Sequence, residues 1–169
     1  MKEEITNILE QLVGLEVSGT RRIDGSAEYI TFGELGTLKD ETGEWQVGER
    51  NIRLECPWRI TQNNILLIGS DDFIEQPDEN AEYNKDFDWN VTGGNLRDVK
   101  MADFLNSGKH IVQSVKADNF GGFELLFNDN AKLTVFPAMS SKSEHNELWG
   151  ISDSRDEGSF VTTNMLVDE

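Results

Sequence analysis

The sequence is poor in the residues that form disulfides, metal sites and catalytic pairs. Its 169 residues include one cysteine, Cys56, and two histidines, His110 and His145. One cysteine cannot form an intramolecular disulfide, and no cysteine pair has the spacing of a metal site. A chain of this length buries enough apolar surface to fold without crosslinks. We therefore predict one domain over residues 1–169, in a reducing compartment, with no metal and no cofactor.

Long apolar runs and catalytic motifs are missing as well. No stretch approaches the ~18 apolar residues of a membrane span, and the N-terminal segment MKEEITNILEQLVG lacks the apolar core of a signal peptide. The sequence contains no Walker loop, no GxSxG nucleophile elbow and no HExxH zinc motif. We therefore expect a cytoplasmic protein that is not an enzyme.

Basic residues are scarce. Fifteen lysines and arginines stand against 32 aspartates and glutamates, for a formal net charge of -17. Such a charge argues against nucleic acid as a ligand, because phosphates bind to concentrated basic surface, and against anionic membranes. Two interpretations remain: the charge keeps the protein soluble, or an acidic face steers it onto a basic partner protein.

Two segments have the pattern of amphipathic helices. Apolar residues recur at helical spacing over residues 2–13, which predicts an N-terminal helix that packs on a sheet. Asn95 has the chemistry of an N-cap, with Asp98 three residues later. A short helix is predicted after it, ending at Ser107-Gly108, with a face of four apolar residues. Those residues are Leu96, Val99, Ala102 and Leu105.

The rest of the chain is rich in short strand patterns separated by turn residues. We predict strands at 15–23, 27–33, 50–60, 65–69, 110–118, 122–128, 131–137, 147–152 and 159–167, and a polar connection at 36–45. Asp24-Gly25 and residues 61–64 predict hairpin turns. The fold class that follows is α+β, mainly antiparallel β, with an N-terminal amphipathic helix and one short middle helix.

Two stretches of the chain resemble each other weakly. FG…RNIRLECP in the first half and LLFNDNAKLTVFP in the second both predict strand, turn, strand and proline. The similarity has no fixed short period, so it does not indicate a solenoid. Two related half-domains would produce it, and a partly open barrel is another architecture that the strand pattern allows.

Acidic residues are concentrated between residues 71 and 94, where turn residues also accumulate. This segment predicts a long solvated loop, and a loop of such length inside a compact domain is often functional. Its eight carboxylates are the candidate partner-binding residues: Asp71, Asp72, Glu75, Asp78, Glu79, Glu82, Asp86 and Asp88. We expect aromatic residues to hold the loop on the body of the protein. They are Phe73, Tyr83, Phe87 and Trp89.

The pattern Asp86-x-Asp88-x-Asn90 resembles the start of a calcium-binding loop. An EF-hand loop needs glycine at its sixth position and a bidentate glutamate at its twelfth. This chain has Val91 and Arg97 at those positions. The pattern therefore favours a solvated acidic loop over a calcium site.

The segment IRLECPWRI, residues 52–60, combines a strand pattern with a proline. Proline cannot donate to a β-ladder, so Pro57 belongs at an edge, a bulge or the end of a strand. Alternation places four apolar residues on one face: Ile52, Leu54, Cys56 and Trp58. We interpret Cys56 as a small buried apolar residue and expect Arg59 to pair with a carboxylate on the other face. The alternative is a nucleophilic Cys56 activated by a histidine.

The tryptophans give a candidate ligand pocket. We assign Trp45, Trp58, Arg59 and Trp149 to it. The alternative is that these tryptophans, together with Trp89, fill the β-core, because tryptophan is a highly buried residue on average.

A resemblance to a known family follows from the order of several segments. LECPWRI, ILLIGSDD, NLRD at a helix start, SVKADNFGGFELLFNDNAKLTVFP and ELWGI occur within about residues 29–166. They resemble a family of small uncharacterised bacterial proteins with an L-x-x-x-C-P-W-R type strand and a V-F-P hairpin. The resemblance implies a shared fold in a bacterial protein and carries over no catalytic residues. The family's arginine after the tryptophan is Gly150 here, and its histidine beside Leu54 is absent, which disfavours an enzyme further.

Three hypotheses for function follow. The first is a non-enzymatic protein-binding module, in its most concrete form an immunity-type protein whose acidic surface masks a basic toxin. The second is a small-molecule-binding β-rich domain with a tryptophan-lined cavity. The third, an enzyme of unknown chemistry, is the least favoured because the sequence lacks catalytic motifs.

Overall fold

The structure is a computed structural model that describes residues 2–22, 25–41, 43–140, 147–153 and 160–162. These residues contain two α-helices, α1 (Lys2–Leu9) and α2 (Leu96–Ser107), and 3-10 helices at Glu10–Leu12 and Ser70–Ile74. The strands are β1 (Val17–Arg22), β2 (Glu28–Phe32), β3 (Gly36–Asp40), β4 (Gly43–Val47), β5 (Arg50–Leu54), β6 (Trp58–Gln62), β7 (Ile65–Gly69), β8 (Val112–Ala117), β9 (Phe123–Phe127), β10 (Ala131–Val135), β11 (Trp149–Asp153) and β12 (Phe160–Thr162).

The strands form two five-stranded antiparallel sheets and one two-stranded ribbon. The first sheet has the order β1-β2-β5-β11-β12, the second has the order β7-β6-β10-β9-β8, and β3 and β4 form the ribbon. The predicted α+β class, with mainly antiparallel strands and two helices, is confirmed. The sheets of the described residues do not close into a barrel.

The segment 50–60 is two strands in two sheets, so the prediction of one strand was wrong. β5 lies in the middle of the first sheet, and β6 lies in the second sheet. Residues 55–57 make the crossing, and Pro57 stands directly before β6. A proline suits this point because no ladder partner is needed there. The predicted alternation survives the crossing, since Leu54, Cys56 and Trp58 are all buried.

The predicted polar connection at 36–45 was also wrong, because residues 36–47 form the β3–β4 ribbon. Its strands pair in register from Gly36 with Val47 to Asp40 with Gly43. The cross-strand pair of Lys39 Nζ and Glu44 Oε2, 2.9 Å apart, contributes to this pairing. Leu38 is the one large apolar residue in the GTLKD sequence of β3, so the alternation that signals a half-buried strand is absent there.

The two halves of the chain have the same topology. Each half runs from a helix through three neighbouring strands of one sheet and then sends two strands into the other sheet. In the first half these elements are α1, β1, β2 and β5, followed by β6 and β7. In the second half they are α2, β8, β9 and β10, followed by β11 and β12. The predicted alternative of two related half-domains agrees with this arrangement.

The registers of the two halves also correspond. Val17 pairs with Phe32 in the first half, and Val112 pairs with Phe127 in the second. Each of these pairs is followed by the same bulge, between Val17 and Gly19 in β1 and between Val112 and Ser114 in β8. The ribbon is the main difference, because β9 and β10 are joined by residues 128–130 alone.

The halves meet along a short two-fold set of backbone hydrogen bonds. Val17 N donates to His110 O at 2.8 Å, and Val112 N donates to Leu15 O at 3.0 Å. An isolated bridge joins Glu16 to Ile111 between them. This contact fixes β1 and β8 side by side at their N-terminal ends, so the two sheets share one core.

That core is apolar and continuous between the sheets and the helices. α1 packs against β8 and buries Ile5 and Leu9, as the N-terminal amphipathic pattern predicts. The helix is shorter than predicted, because Glu10–Leu12 tightens into a 3-10 turn before Gly14, whose φ is 89°. Such a left-handed φ favours glycine.

The second helix begins and ends as predicted, but it buries a different face. Asn95 caps it by accepting a hydrogen bond from Asp98 N at 2.9 Å. The predicted face of apolar residues was wrong in part, since Ala102 is exposed and Val99 is half-buried. The buried residues of α2 are Leu96, Arg97, Met101 and Phe104. The buried face of α2 is therefore rotated from the predicted one and includes Arg97.

Candidate functional site

The residues assigned to a tryptophan pocket do not come together around a cavity. Trp58 and Trp149 are each 1% exposed and lie in the core. They are the first residues of β6 and β11, so they occupy equivalent positions in the two halves. Trp149 Nε1 donates to Gly121 O at 2.7 Å, which satisfies the buried indole. The core alternative therefore describes these two residues, while the side chain of Trp45 lies outside the described part.

Arg59 lies on the outer face of the second sheet and is exposed. Its guanidinium stands 5.6 Å from the centroid of the Phe136 ring. The predicted pairing with a carboxylate was wrong for the described residues, since the ring of Phe136 takes that place. A cation–π contact at an exposed site contributes about 0.5–1 kcal/mol.

Cys56 has the character of a buried apolar residue. Its exposed fraction is 7%, and burial raises the pKa of its thiol to about 12. A thiol with so high a pKa is protonated at neutral pH and is a poor nucleophile. His110 contacts other groups, and His145 lies outside the described residues. The structural interpretation of Cys56 is the one that this setting favours.

His110 forms a Ser-His-Asp arrangement that the sequence did not predict. His110 Nδ1 lies 2.8 Å from Asp129 Oδ2, and Nε2 lies 3.3 Å from Ser107 Oγ. Nε2 also lies 2.7 Å from the carbonyl oxygen of Phe104, and Ser107 Oγ donates to that same oxygen at 2.7 Å. Because Nε2 faces an acceptor, it carries a proton and cannot take one from Ser107. The cluster therefore anchors the end of α2 rather than forming a nucleophilic site.

The acidic loop, residues 71–94, is folded around a buried glutamine. Gln76 is 8% exposed, and its Nε2 donates to Asp78 O at 2.7 Å and to Ala81 O at 3.0 Å. Its Oε1 accepts from Asn84 N at 2.8 Å. Leu96 N donates to Glu75 O at 3.0 Å, which closes the base of the loop. The loop therefore holds a defined shape without further helix or strand after the 3-10 helix at its start.

Acidic and amide side chains of the loop close turns, both at Asp78 and within the Asp86-x-Asp88-x-Asn90 pattern, where Asp86 N donates to Asn84 Oδ1 at 3.0 Å. Asp78 Oδ1 accepts from Asn80 N at 2.9 Å, and Asp88 Oδ1 accepts from Asn90 N at 3.0 Å. These are Asx-turns, in which a side chain replaces a backbone acceptor. Among the residues that the structure describes, no group of three or more His, Cys, Asp or Glu side chains is placed to hold a metal ion.

Most of the candidate partner-binding carboxylates point into solvent. Asp72 is the exception: it is half-buried, accepts from Gly69 N at 2.9 Å and lies 3.7 Å from Lys100 Nζ. Lys100 Nζ also lies 3.6 Å from Glu79 Oε1. The other seven are exposed: Asp71, Glu75, Asp78, Glu79, Glu82, Asp86 and Asp88.

Apolar side chains are exposed within and beside the same loop. Tyr83 is 68% exposed, Ile74 is 59% exposed and Val91 is 53% exposed. Phe73 and Trp89 pack edge to face with their ring centroids 5.7 Å apart, and Trp89 still exposes 37% of its surface. The predicted role of the aromatic residues in holding the loop thus fits Phe73 and Trp89, whereas Tyr83 points outward.

A cleft of about 650 Å³ lies beside the acidic loop, between β1 and α2. Its lining includes five consecutive residues of β1, from Ser18 to Arg22, and the loop residues Asn90 and Thr92. Three residues of α2 form the apolar wall. They are Met101, Ala102 and Leu105. This volume is in the range of small-ligand sites.

Four charged residues of the described part also line the cleft, Arg21, Arg22, Glu28 and Asp98. Arg22 Nε lies 3.6 Å from Asp98 Oδ1, and Arg22 Nη2 donates to Asn90 O at 2.7 Å. Behind them Arg97 Nη2 lies 3.2 Å from Glu28 Oε2, with both side chains buried. Arg97 Nη1 donates to Ser26 O at 2.9 Å and to Ser70 O at 3.1 Å. These contacts tie the start of α2 to the first sheet and to the base of the acidic loop.

Burial raises the pKa of Glu28 to about 7, although the nearby Arg97 guanidinium opposes that rise. Burial likewise lowers the pKa of Arg97, and Glu28 opposes the change. The pair is stabilised by mutual attraction but costs the desolvation of both charges. Perturbed carboxyl groups of this kind cluster at functional sites, and they also occur in structural ion pairs.

Sequence reasoning identified the acidic loop but missed the cleft and its charged residues. Arg22, Glu28 and Arg97 carried no motif, and the apolar pattern of α2 passed over Arg97. One local signal concerned Arg97, which lies between the capping residues Asn95 and Asp98 in the NLRD segment. A cap sequence that encloses an arginine indicates that the arginine lies near a helix start, not that it is buried.

Comparison with known proteins adds no relative. No family model, no curated protein and no solved structure matches this chain. The resemblance of residues 54–59 to the bacterial strand motif stays a prediction. No helix of the described residues has the length and apolar character needed to cross a membrane.

Proposed function

We propose that this protein is a non-enzymatic protein-binding module whose acidic loop recognises a basic partner protein. In its most concrete form the module is of the immunity type, in a bacterial cytoplasm, and masks the cationic surface of a toxin. The observation that carries the proposal is the composition of the loop surface, where exposed carboxylates are interspersed along the chain with exposed Tyr83, Trp89 and Ile74.

Such a surface combines the two elements of a protein interface. Aromatic residues supply most of the energy at interface centres, and charged residues around them set on-rate and specificity. The charge of -17 extends this attraction beyond the loop. A surface made only of carboxylates would bind many basic proteins with similar affinity. The exposed apolar side chains add contacts that only a partner of complementary shape can make.

The defined shape of the loop supports the same proposal. Gln76 and the Asx-turns fix the loop before any partner arrives. Ordering a flexible loop on binding costs about 0.5–1.5 kcal/mol for each immobilised side chain, so a preformed loop binds more tightly.

The proposal is tested by capturing and then purifying the partner. The wild-type protein is immobilised on a resin, and extract of the cells that produce it naturally is passed over the resin. Bound proteins are then eluted with steps of increasing salt concentration. In parallel we would use Glu75→Gln/Glu82→Gln/Asp86→Asn, which removes three exposed loop charges, and Glu3→Gln/Glu10→Gln/Glu44→Gln, which removes three exposed charges elsewhere. A partner purified from the wild-type eluate is then titrated against all three proteins.

We expect one basic protein to bind the wild type and the control with equal affinity, and the loop variant at least about tenfold more weakly. Binding should weaken as salt rises. Recovery of no stoichiometric partner, or equal binding by the loop variant and the wild type, would overturn the proposal.

Small-molecule binding is the second candidate function, and the cleft between β1 and α2 favours it. Trp58 and Trp149, two of the tryptophans that suggested it, lie elsewhere, in the core. A thermal-shift screen tests it, since saturation at a hundred times Kd raises stability by about 2.7 kcal/mol. Stabilisation by one class of metabolite would support this function, and a flat response across the screen would count against it.

A further inference from the structure

The cleft between β1 and α2 is the counterpart of a closed space elsewhere in the molecule. Each helix lies against the first strand of the other half, α1 against β8 and α2 against β1. On the α1–β8 side the space is filled, because Ile5, Leu9 and Leu12 are completely buried. On the α2–β1 side a volume of about 650 Å³ stays open. The same architecture is thus packed on one side and hollow on the other.

The strand residues that face these two spaces differ in polarity. Thr20 and Arg22 of β1 correspond in register to Val115 and Ala117 of β8. Val115 packs against the core, and Ala117 is 2% exposed. Thr20 and Arg22 instead line the cleft. The cleft therefore has a polar wall on β1, opposite the apolar wall of α2.

Buried polar atoms without hydrogen bonds are concentrated at the cleft. In the part of the chain that the structure describes, seven buried side-chain nitrogen or oxygen atoms have no hydrogen-bond partner. Three of them belong to residues that line the cleft: Ser18 Oγ, Arg22 Nε and Thr31 Oγ1. Two more belong to Arg97, which pairs with Glu28 of the lining. Because most buried polar groups in proteins are hydrogen-bonded, this concentration indicates a place where a ligand supplies the partners.

Gly19 keeps the β1 wall open beside Thr31. A Cβ atom at Gly19 would lie 2.9 Å from Thr31 Oγ1, which is closer than van der Waals contact allows. Thr31 itself is 6% exposed. The residue of β8 that corresponds in register to Gly19 is Ser114. Glycine therefore leaves this side of the threonine hydroxyl uncovered, where the other half carries a side chain.

Positive charge exceeds negative charge at the cleft, although the chain as a whole carries a net charge of -17. Arg21 and Arg22 line the cleft, and Arg97 lies behind it. The described lining contains two carboxylates, Glu28 and Asp98, and each is already paired with one of these arginines. Burial also raises the pKa of Glu28 to about 7, so its negative charge is incomplete at neutral pH. An occupant that complements this lining supplies acceptor oxygens and negative charge.

We infer that the cleft between β1 and α2 binds a small carboxylate with an apolar body. The carboxylate oxygens accept hydrogen bonds from Arg22 and Thr20, and bonds from a guanidinium to an anion are the stronger kind. The apolar body contacts Met101 and Leu105. The inference rests on small-molecule binding, the second candidate function, and does not depend on a protein partner of the acidic loop.

The test uses two series of probes that differ only in their head group. One series is phenylacetate, phenylacetamide and phenethylamine, and the other is hexanoate, hexanamide and hexylamine. The body keeps its size within a series while the head group is anionic, neutral or cationic. Affinity is measured by isothermal titration calorimetry at about 0.15 M salt, where distant surface charges are screened. Backbone amide signals in NMR spectra locate the bound probe.

Two exposed alanines give a matched pair of variants. Ala102 lines the cleft and Ala138 does not. Ala102→Phe therefore fills the cleft, whereas Ala138→Phe adds the same ring outside it. Gly19→Ser is a second cleft variant, which covers Thr31 with the residue of the other half. The variant Glu75→Gln/Glu82→Gln/Asp86→Asn tests the acidic loop. Unfolding of each variant without probe separates a loss of fold from a loss of binding.

We expect the carboxylates to bind with Kd below about 1 mM, at least about tenfold more tightly than their amides and amines. The amide signals of Gly19 and Thr20 should shift. Ala102→Phe and Gly19→Ser should weaken binding about tenfold or more, while Ala138→Phe and the loop variant change it about twofold at most.

Three results would overturn the inference: no binding of either carboxylate, tighter binding of an amide or amine, or unchanged affinity in both cleft variants. Tighter binding of an amide or amine in the cleft would leave small-molecule binding standing and remove only the carboxylate class. None of these results bears on the protein partner of the acidic loop, which is tested by capture.

Discussion

At one equivalent position, the two halves of the chain have buried side chains of different polarity. Glu28 begins β2 and pairs in register with Arg22 and Leu54; Phe123 begins β9 and pairs with Ala117 and Val135. Both side chains are nearly completely buried. One half fills the position with a carboxylate that needs an arginine, and the other fills it with an aromatic ring.

The difference separates stability from recognition. Phe123 packs edge to face on Trp149 with their centroids 4.7 Å apart, in an apolar layer of the core. Glu28 instead pairs with Arg97 and lines the cleft, whose lining also includes Asn90 and Thr92 of the acidic loop. Buried charge costs stability that an apolar residue would supply. The half that bears this cost also contains the ribbon and the acidic loop, and its strand β1 forms one wall of the cleft, while α2 forms the other.

The largest effect is expected when Phe123 of the second half is replaced by glutamate, the residue at the equivalent position of the first half. Phe123→Glu puts a carboxylate against Trp149, without the arginine that Glu28 has, and should destabilise the protein by about 5 kcal/mol. Urea unfolding at pH 8 measures this, with Phe123→Leu as a control that should lose about 1 kcal/mol. A Phe123→Glu variant within about 1 kcal/mol of wild type would break the comparison.

The next effect is the pH dependence of the protein's stability that comes from Glu28 in the first half. The pKa of Glu28 rises from its usual 4.5 to about 7 on folding, so the folded protein keeps a proton that the unfolded chain has lost. The contribution of Glu28 to stability is therefore complete below pH 4.5 and is lost as the pH rises through 7. The loss amounts to about 3 kcal/mol.

Glu28→Gln should remove this dependence, because an amide does not titrate in that range. Unfolding free energies of both proteins are measured from pH 5 to pH 8. The unfolding free energy of the wild type minus that of the variant should fall by about 3 kcal/mol across that range. Parallel curves would mean that Glu28 stays ionised in the folded protein.

A smaller effect is expected at the crossing between the sheets. Cys56→Ala removes one buried sulfur and should cost about 1 kcal/mol while leaving partner affinity unchanged. In the wild type, alkylation of the thiol at pH 8 should be at least about a hundredfold slower in the folded protein than in urea. A variant with normal stability and abolished binding would instead make Cys56 part of a site.

The smallest effect concerns the lysine beside the acidic loop. Lys100 is paired at 3.7 Å with Asp72 and at 3.6 Å with Glu79, and it is partly exposed. Lys100→Gln should therefore cost about 0.5 kcal/mol or less. The more negative surface should also raise the on-rate of a basic partner about twofold at low salt. Stopped-flow association at two salt concentrations measures this, and a slower on-rate would contradict the steering.

Local chemistry made several parts of the fold predictable. The Asn95 cap and the Asn63-Asn64 turn, with both φ angles positive, depend on a few adjacent residues. The apolar alternation around Cys56 likewise reports burial directly. The acidic loop was predictable because eight carboxylates in so short a stretch cannot be buried.

The rest depends on partners far along the chain. The burial of Arg97 requires Glu28 and the carbonyl oxygens of Ser26 and Ser70, none of which is local to α2. The switch of sheet after β5 depends on β10 and β11, which pair with β6 and β5. The cleft is assembled from β1, α2 and the acidic loop, so no single segment carries its signature.

The central claim is that recognition belongs to the acidic loop, and that the α1–β8 side only supports the core. Hydrogen–deuterium exchange of the protein alone and in complex with its purified basic partner tests this most directly. The account predicts that the partner slows exchange in residues 75–95 and leaves β8 and α1 unchanged. Protection of α1 and β8, with residues 75–95 unaffected, would contradict it.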